Sequence, residues 1–129
     1  MNRSRDWWVQ AQADLRHARH AREDGAYEWA CFAAHQAAEK AIKAVFESRD
    51  QQAWGHTLTH LLQALAEKEN VSPDLLDMAR ILDKHYIPTR YPNGLAEGAP
   101  TEFYTRKEAD DAIRYSEAIL RFCDHLLHR

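Results

Sequence analysis

The chain has 129 residues, 29% of them charged and 45% apolar, with a net charge of −3. That length suits one domain with a real core, and the acidic balance excludes a protein coated in positive charge for general nucleic-acid binding. Charge is uneven: residues 1–22 hold five arginines against two aspartates, a local +3 that leaves −6 over the remainder. A helix of that charge reads as a solvated face.

The N-terminal charges are followed by no apolar run, so no signal peptide is expected. The longest apolar run, Trp29 to Ala34, is too short to span a bilayer. Cys31 and Cys123 fall inside helical patterns and read as small buried residues of a reducing compartment. Together these features lead us to expect a cytoplasmic protein.

Apolar residues recur at helical spacing from the start. Trp8, Ala11, Leu15 and Ala18 predict a first helix from about Ser4 to Asp24, stopped by Gly25. A second helix is expected from Tyr27 to Ser48, with the stripe Tyr27, Ala30, Ala34, Ala37, Ala41 and Val45. Its many alanines favour helix and allow close backbone approach, as in the centre of a bundle. Glu28, His35, Glu39, Lys43 and Glu47 form its polar edge, where Glu39 and Lys43 pair one turn apart. His35 and Glu39 have the same spacing; they can form a polar spot facing the loop that follows the fourth helix, and the reading preferred here is a surface hydrogen bond.

A short third helix follows Trp54-Gly55-His56, with Leu58, Leu61, Leu62 and Leu65 inward. The fourth opens on Ser72-Pro73-Asp74: an N-cap serine, a proline at the first helical position and an acid in the first turn. It is expected to end near Tyr86, because Ile87 precedes a proline. The last helix opens on Thr105-Arg106-Lys107-Glu108, a capping box, and continues with an inner stripe through Ala109, Ile113, Ser116, Ile119 and Cys123. No segment alternates with strand period. The expected fold is therefore all-α: an antiparallel up-and-down bundle of four long helices plus one short helix, in one domain over residues 1–129.

Between the last two helices lies a loop from Ile87 to Tyr104, longer than bundles usually need. Its entrance, Asp83-Lys84-His85-Tyr86-Ile87-Pro88-Thr89-Arg90-Tyr91-Pro92-Asn93-Gly94, sets cations and aromatic rings on a proline-stiffened turn. Arg90 offers a planar fork for phosphate, Tyr86 and Tyr91 offer stacking faces, and Lys84, His85 and Thr89 offer donors. These six are the candidate ligand-binding residues. A structural reading stands beside this one: the tyrosines pack the loop onto the bundle, and Arg90 caps the carbonyl end of the fourth helix.

His56 and His60 lie one turn apart but lack a third ligand, so no metal site is assigned and no cofactor is implied. His56 is instead expected to bond backbone in the turn before the third helix. There is no glycine-rich phosphate loop and no serine-centred triad motif.

Several of these stretches match a known pattern. They are Trp7 and Asp14-Leu15, the run Phe32 to Ala44, Gly55-His56, Leu61-Leu62, Tyr86 with Thr89-Arg90-Tyr91-Pro92, and Tyr104-Thr105 with Glu108-Ala109. Over nearly its whole length the chain resembles the HEPN family (higher eukaryotes and prokaryotes nucleotide-binding), in its small stand-alone prokaryotic form. The resemblance implies a helical bundle that dimerises, association with a nucleotide or RNA, and a nucleotidyltransferase partner in a two-component, toxin–antitoxin-like system.

Many relatives are ribonucleases that use an arginine followed after four to six residues by a histidine. Here Arg80 and His85 have that spacing beside the loop and are the candidate catalytic pair of a metal-independent endoribonuclease. Five residues along a helix, however, place two side chains about 140° apart. Arg90 has no histidine at the required distance, which favours binding over cleavage. A third reading is a non-catalytic interaction module that associates through its alanine-rich faces and Trp7 and Trp8.

Overall fold

Helix α2 (Tyr27–Ser48) touches every other helix of the protein. In the computed structural model, which describes residues 2–129, it lies between α1 (Ser4–Glu23) and α6 (Arg106–Leu127), the two other long helices. The shorter α3 (Leu58–Leu65) and α4 (Pro73–Asp83) pack on each other and onto α2. Among the described residues all regular structure is helical.

The alanines explain the central position of α2. Ala30, Ala34, Ala37, Ala38, Ala41 and Ala44 are all fully buried and lie on more than one side of the helix. Small side chains let neighbouring helices approach closely on each side. The pairs Asp14–Lys40 and Trp7–Lys43 run in opposite order along α1 and α2, so these two helices are antiparallel. Arg19–Glu117 at 2.8 Å and Arg22–Asp110 at 3.5 Å join α1 to α6. The buried Ser116 hydroxyl donates to the Ala34 carbonyl at 2.7 Å and ties α6 to α2.

The expected polar edge of α2 is corrected here. Glu28, His35 and Glu39 are buried, because a helix covered on several sides has no broad solvated face left. Trp7 lies under the Lys43 ammonium and Trp8 against the His128 ring, both half-buried. Cys31 and Cys123 are buried free thiols.

The helix ends follow local chemistry. Gly25 has φ +80, Ala26 N–H donates to Ala21 O and Gly25 N–H to Arg22 O, which is a Schellman stop for α1. Ser72 accepts from Leu75 N–H at 3.1 Å to start α4. Thr105 and Glu108 close a reciprocal capping box at the start of α6.

Helix α4 ends at Asp83, earlier than expected, and residues 84–86 continue as hydrogen-bonded turn. The long loop is also more ordered than its composition indicates. It holds a 3-10 turn, Pro92–Gly94, and a one-turn helix α5, Pro100–Phe103, each opened by a proline with φ already set.

Candidate functional site

The carboxylate of Asp83 is the hinge of this region. Its oxygens accept from Leu58 N–H at 2.7 Å, Thr59 N–H at 3.0 Å and the Thr59 hydroxyl at 2.7 Å. The C-terminus of α4 thus supplies the N-terminal cap of α3, the place where an anion is favoured. His35 Nε2 of α2 lies 3.4 Å from the same carboxylate. Burial pushes the Asp83 carboxyl up, but the adjacent His35 ring and the bonds from the Thr59 hydroxyl and the Leu58 and Thr59 backbone outweigh it and hold the group below the usual carboxylate range.

Beyond Asp83 the chain alternates between inward and outward side chains. His85 and Thr89 are buried. Thr89 donates to the His85 carbonyl at 2.6 Å, and His85 Nδ1 sits 3.4 Å from the Tyr104 hydroxyl. Burial lowers the His85 pKa, so the ring is neutral at neutral pH. Burial, reinforced by Cys31 and Glu108, pushes the Tyr104 phenol up to about 12. These groups form a packed polar seam rather than a surface.

Tyr86, Arg90 and Tyr91 lie on the outer side. The Arg90 guanidinium donates from Nε and Nη2 to the Tyr86 carbonyl at 2.9 and 2.7 Å. It lies over the rings of Phe32, Tyr86 and Tyr91, at 4.4, 4.6 and 5.1 Å. Arg90 therefore ties down the turn that follows α4, at the Tyr86 carbonyl, rather than the carbonyl end of the helix itself. Its Nη1 makes no hydrogen bond among the described residues, which leaves one edge of the fork for something else. Tyr91 is 49% exposed, and Lys84 is exposed.

Residues from other elements complete the cluster. Tyr86 stacks on His56 with centroids 5.1 Å apart and rings 17° from parallel, and its ring centre lies 5.0 Å from that of His35. His56 Nδ1 sits 3.0 Å from both oxygens of Glu39, which is only 4% exposed. Lys43 approaches the same carboxylate at 3.1 Å. His56 thus bonds a carboxylate rather than backbone, and His35 and Glu39 are buried groups facing the loop rather than a surface pair.

The sequence brought six candidates to this place, and the structure separates them: Tyr86, Arg90 and Tyr91 share one patch, Lys84 is exposed beside them in sequence, and His85 and Thr89 point inward. Arg80, on the exposed side of α4, bonds Asp77 at 2.7 Å, while His85 contacts Tyr104, so the two have different partners. Phe32 and His56 were missed as site residues, and Glu39 was weighed only as a polar spot shared with His35. The one available signal was the His35–Glu39 spacing on an alanine-rich helix, where a polar residue has few ways to reach water. Among the described residues no cluster of three or more His, Cys, Asp or Glu side chains could hold a metal ion, and no helix is long and apolar enough to cross a membrane.

Fold and site together define a small all-helical domain whose central helix buries a carboxylate–imidazole cluster beneath an arginine-capped aromatic turn. The chain belongs to the HEPN domain family, whose model matches residues 4–126. It is similar to TT1696 from Thermus thermophilus at 48% identity, covering 98% of this chain and 100% of that one, with a TM-score of 0.95. ST0689, an archaeal HEPN homologue, is 41% identical over 98% of this chain and 99% of its own, with a TM-score of 0.84. A HEPN domain protein from Thermotoga maritima, tm0613, is 41% identical over 96% and 98%, with a TM-score of 0.80. No curated protein matches the chain.

Proposed function

We propose that this protein binds a nucleotide or an RNA phosphate at the patch formed by Arg90, Tyr86 and Tyr91, with Lys84 and His56 at its margin. The observation that carries the reading is the Arg90 guanidinium, laid on aromatic rings with Nη1 uncommitted. A guanidinium so held is already ordered, so contact with a phosphate costs little side-chain entropy. Exposed Tyr91 offers a face on which a base can stack. Membership of a family often concerned with nucleotides and RNA supports the same choice.

On this reading the protein acts as a homodimer and as the partner of a nucleotidyltransferase in a two-component, toxin–antitoxin-like system, the role that its resemblance to small prokaryotic HEPN proteins implies. RNA cleavage by Arg80 and His85 draws no support from the geometry, since Arg80 is engaged by Asp77 and His85 is buried against Tyr104.

The test is a calorimetric titration of wild type and Tyr91→Ala with ATP and with a short oligouridylate. Binding that weakens in Tyr91→Ala, at unchanged melting temperature, supports the reading. Absence of heat with both ligands in the wild type ends it.

A further inference from the structure

On the other side of α1 from Trp7 and Lys43, the seam between α1 and α6 opens into a groove of about 420 Å³. Leu15, Leu120 and Trp8 give it an apolar floor, and Trp8 carries the groove on toward Arg5 and His128 at the N-terminal end of α1. From Ser4 to Arg19 the seam is about 22 Å long. None of its residues belongs to the Arg90 patch.

Its charges are arranged in a particular way. Arg5, Arg16 and Arg121 are exposed and make no ion pair among the described residues. The two carboxylates of the groove are engaged, Glu117 by Arg19 at 2.8 Å and Asp124 by His128 at 2.6 Å. The rim therefore offers unspent positive charge above an apolar floor. A phosphate backbone, with a charge at every nucleotide, would run directly over Glu117 and Asp124. A peptide can place its acids opposite the free arginines and its apolar side chains on the floor between them.

We propose that the α1–α6 groove docks an acidic amphipathic segment of a partner protein, about four helical turns long, with leucine-like anchors against Trp8, Leu15 and Leu120 and carboxylates facing Arg5, Arg16 and Arg121. The proposal goes beyond the nucleotide reading and shares no residue with it. It also gives a use to Arg5 and Arg16, the arginines of α1 that make no ion pair among the described residues.

The test follows the Trp8 indole N–H by NMR while the full chain is titrated with a panel of synthetic acidic amphipathic peptides of about 15 residues. The same peptides with glutamates changed to lysines, and an oligouridylate, are titrated alongside. Acidic peptides should move the Trp8 signal, and the double variant Arg16→Glu/Arg121→Glu should bind them roughly tenfold more weakly. Both substituted side chains are exposed and unpaired, so the variant should melt with the wild type, and Tyr91→Ala should bind the peptides as the wild type does. The proposal is overturned if no acidic peptide moves the signal, or if the lysine peptides move it equally. It is also overturned if the double variant binds unchanged, if the oligouridylate alone shifts Trp8, or if the signal moves only with protein concentration, which would make the occupant a second copy of this chain.

Discussion

His35 Nε2 and the Asp83 carboxylate meet at 3.4 Å in a place where His35 has no exposure to water. The contact joins the central helix to the point where α4 caps α3, so one carboxylate organises three helices. Gln36 Nε2 lies 3.2 Å from His35 Nδ1. The Asp83 carboxylate and the Gln36 amide thus flank the two ring nitrogens of His35.

Replacing Asp83 by alanine should therefore cost more than an ordinary cap. The Leu58 and Thr59 N–H groups lose their acceptor, and the buried His35 ring loses the carboxylate that lies 3.4 Å from its Nε2. Loss of the cap and of the buried partner together predicts about 2–4 kcal/mol. Urea unfolding measures it. A loss below about 0.5 kcal/mol, the level of an ordinary surface substitution, would show that the carboxylate does not hold the three helices together.

Four groups give the stability a pH dependence with the same sign: Asp83 and His85 in the site region, and Glu69 and Asp111, each held down first by a hydrogen bond from a cation, Arg49 and Lys107 respectively. The folded Asp83 pKa lies below its ordinary 3.8 and the folded His85 pKa below its ordinary 6.5. In both cases the unfolded chain binds the proton more readily, so stability rises with pH through each window. The His85 contribution is complete above about pH 6.5 and is lost as pH falls through the folded value; the Asp83 contribution is complete above about pH 4 and is lost below it. Urea midpoints measured from pH 7.5 to pH 3 should fall in two stages. His85→Gln should flatten the upper stage, and Asp83→Asn should shrink the lower, to which Glu69 and Asp111 also contribute. An upper stage that survives His85→Gln would assign it to another group.

Arg90→Ala should destabilise the fold, although composition alone presents Arg90 as a ligand arginine free to be removed. The side chain makes two hydrogen bonds to the Tyr86 carbonyl and lies on three rings. Its loss predicts about 1–3 kcal/mol, and Arg90→Lys should recover only part, since an ammonium cannot bridge with two nitrogens while stacking flat. Thermal melts of the two variants decide this. For that reason Tyr91→Ala, not Arg90→Ala, is the clean probe of ligand binding.

The helices were legible because each has a period and a cap written into a few adjacent residues: Ser72-Pro73, Thr105 with Glu108, and Gly25. The site was only half legible. Arg90, Tyr86 and Tyr91 stand out by composition within six positions. Glu39 and His56 are 17 residues apart, and nothing local announces their contact; it depends on how α3 is set against α2, which Asp83 decides from another 27 residues away. The inward turn of His35 and Glu39 was hidden for a related reason. A helical stripe gives one buried face, whereas α2 is enclosed by α1, α6 and the α3–α4 pair together. Alanines on several sides of α2 were the sign of that enclosure, and a polar residue among them has to be satisfied by protein.

Gly25→Ala tests the local reading of a helix stop against tertiary packing. A Cβ at this position would meet nothing within 4 Å, so packing does not oppose the change. The residue is nevertheless held at φ +80, where a side chain clashes with its own backbone. The expected cost is about 1 kcal/mol, and it should come from the backbone alone, with Ala26 N–H still bonded to Ala21 O. Asparagine, which tolerates the left-handed region better than alanine, should cost less at the same place. Chemical denaturation of the two variants gives the order. If alanine were as stable as glycine, the Schellman turn would not be what sets the angle between α1 and α2, and the stop would have to be attributed to the contacts of Ala21 and Tyr27 with the core.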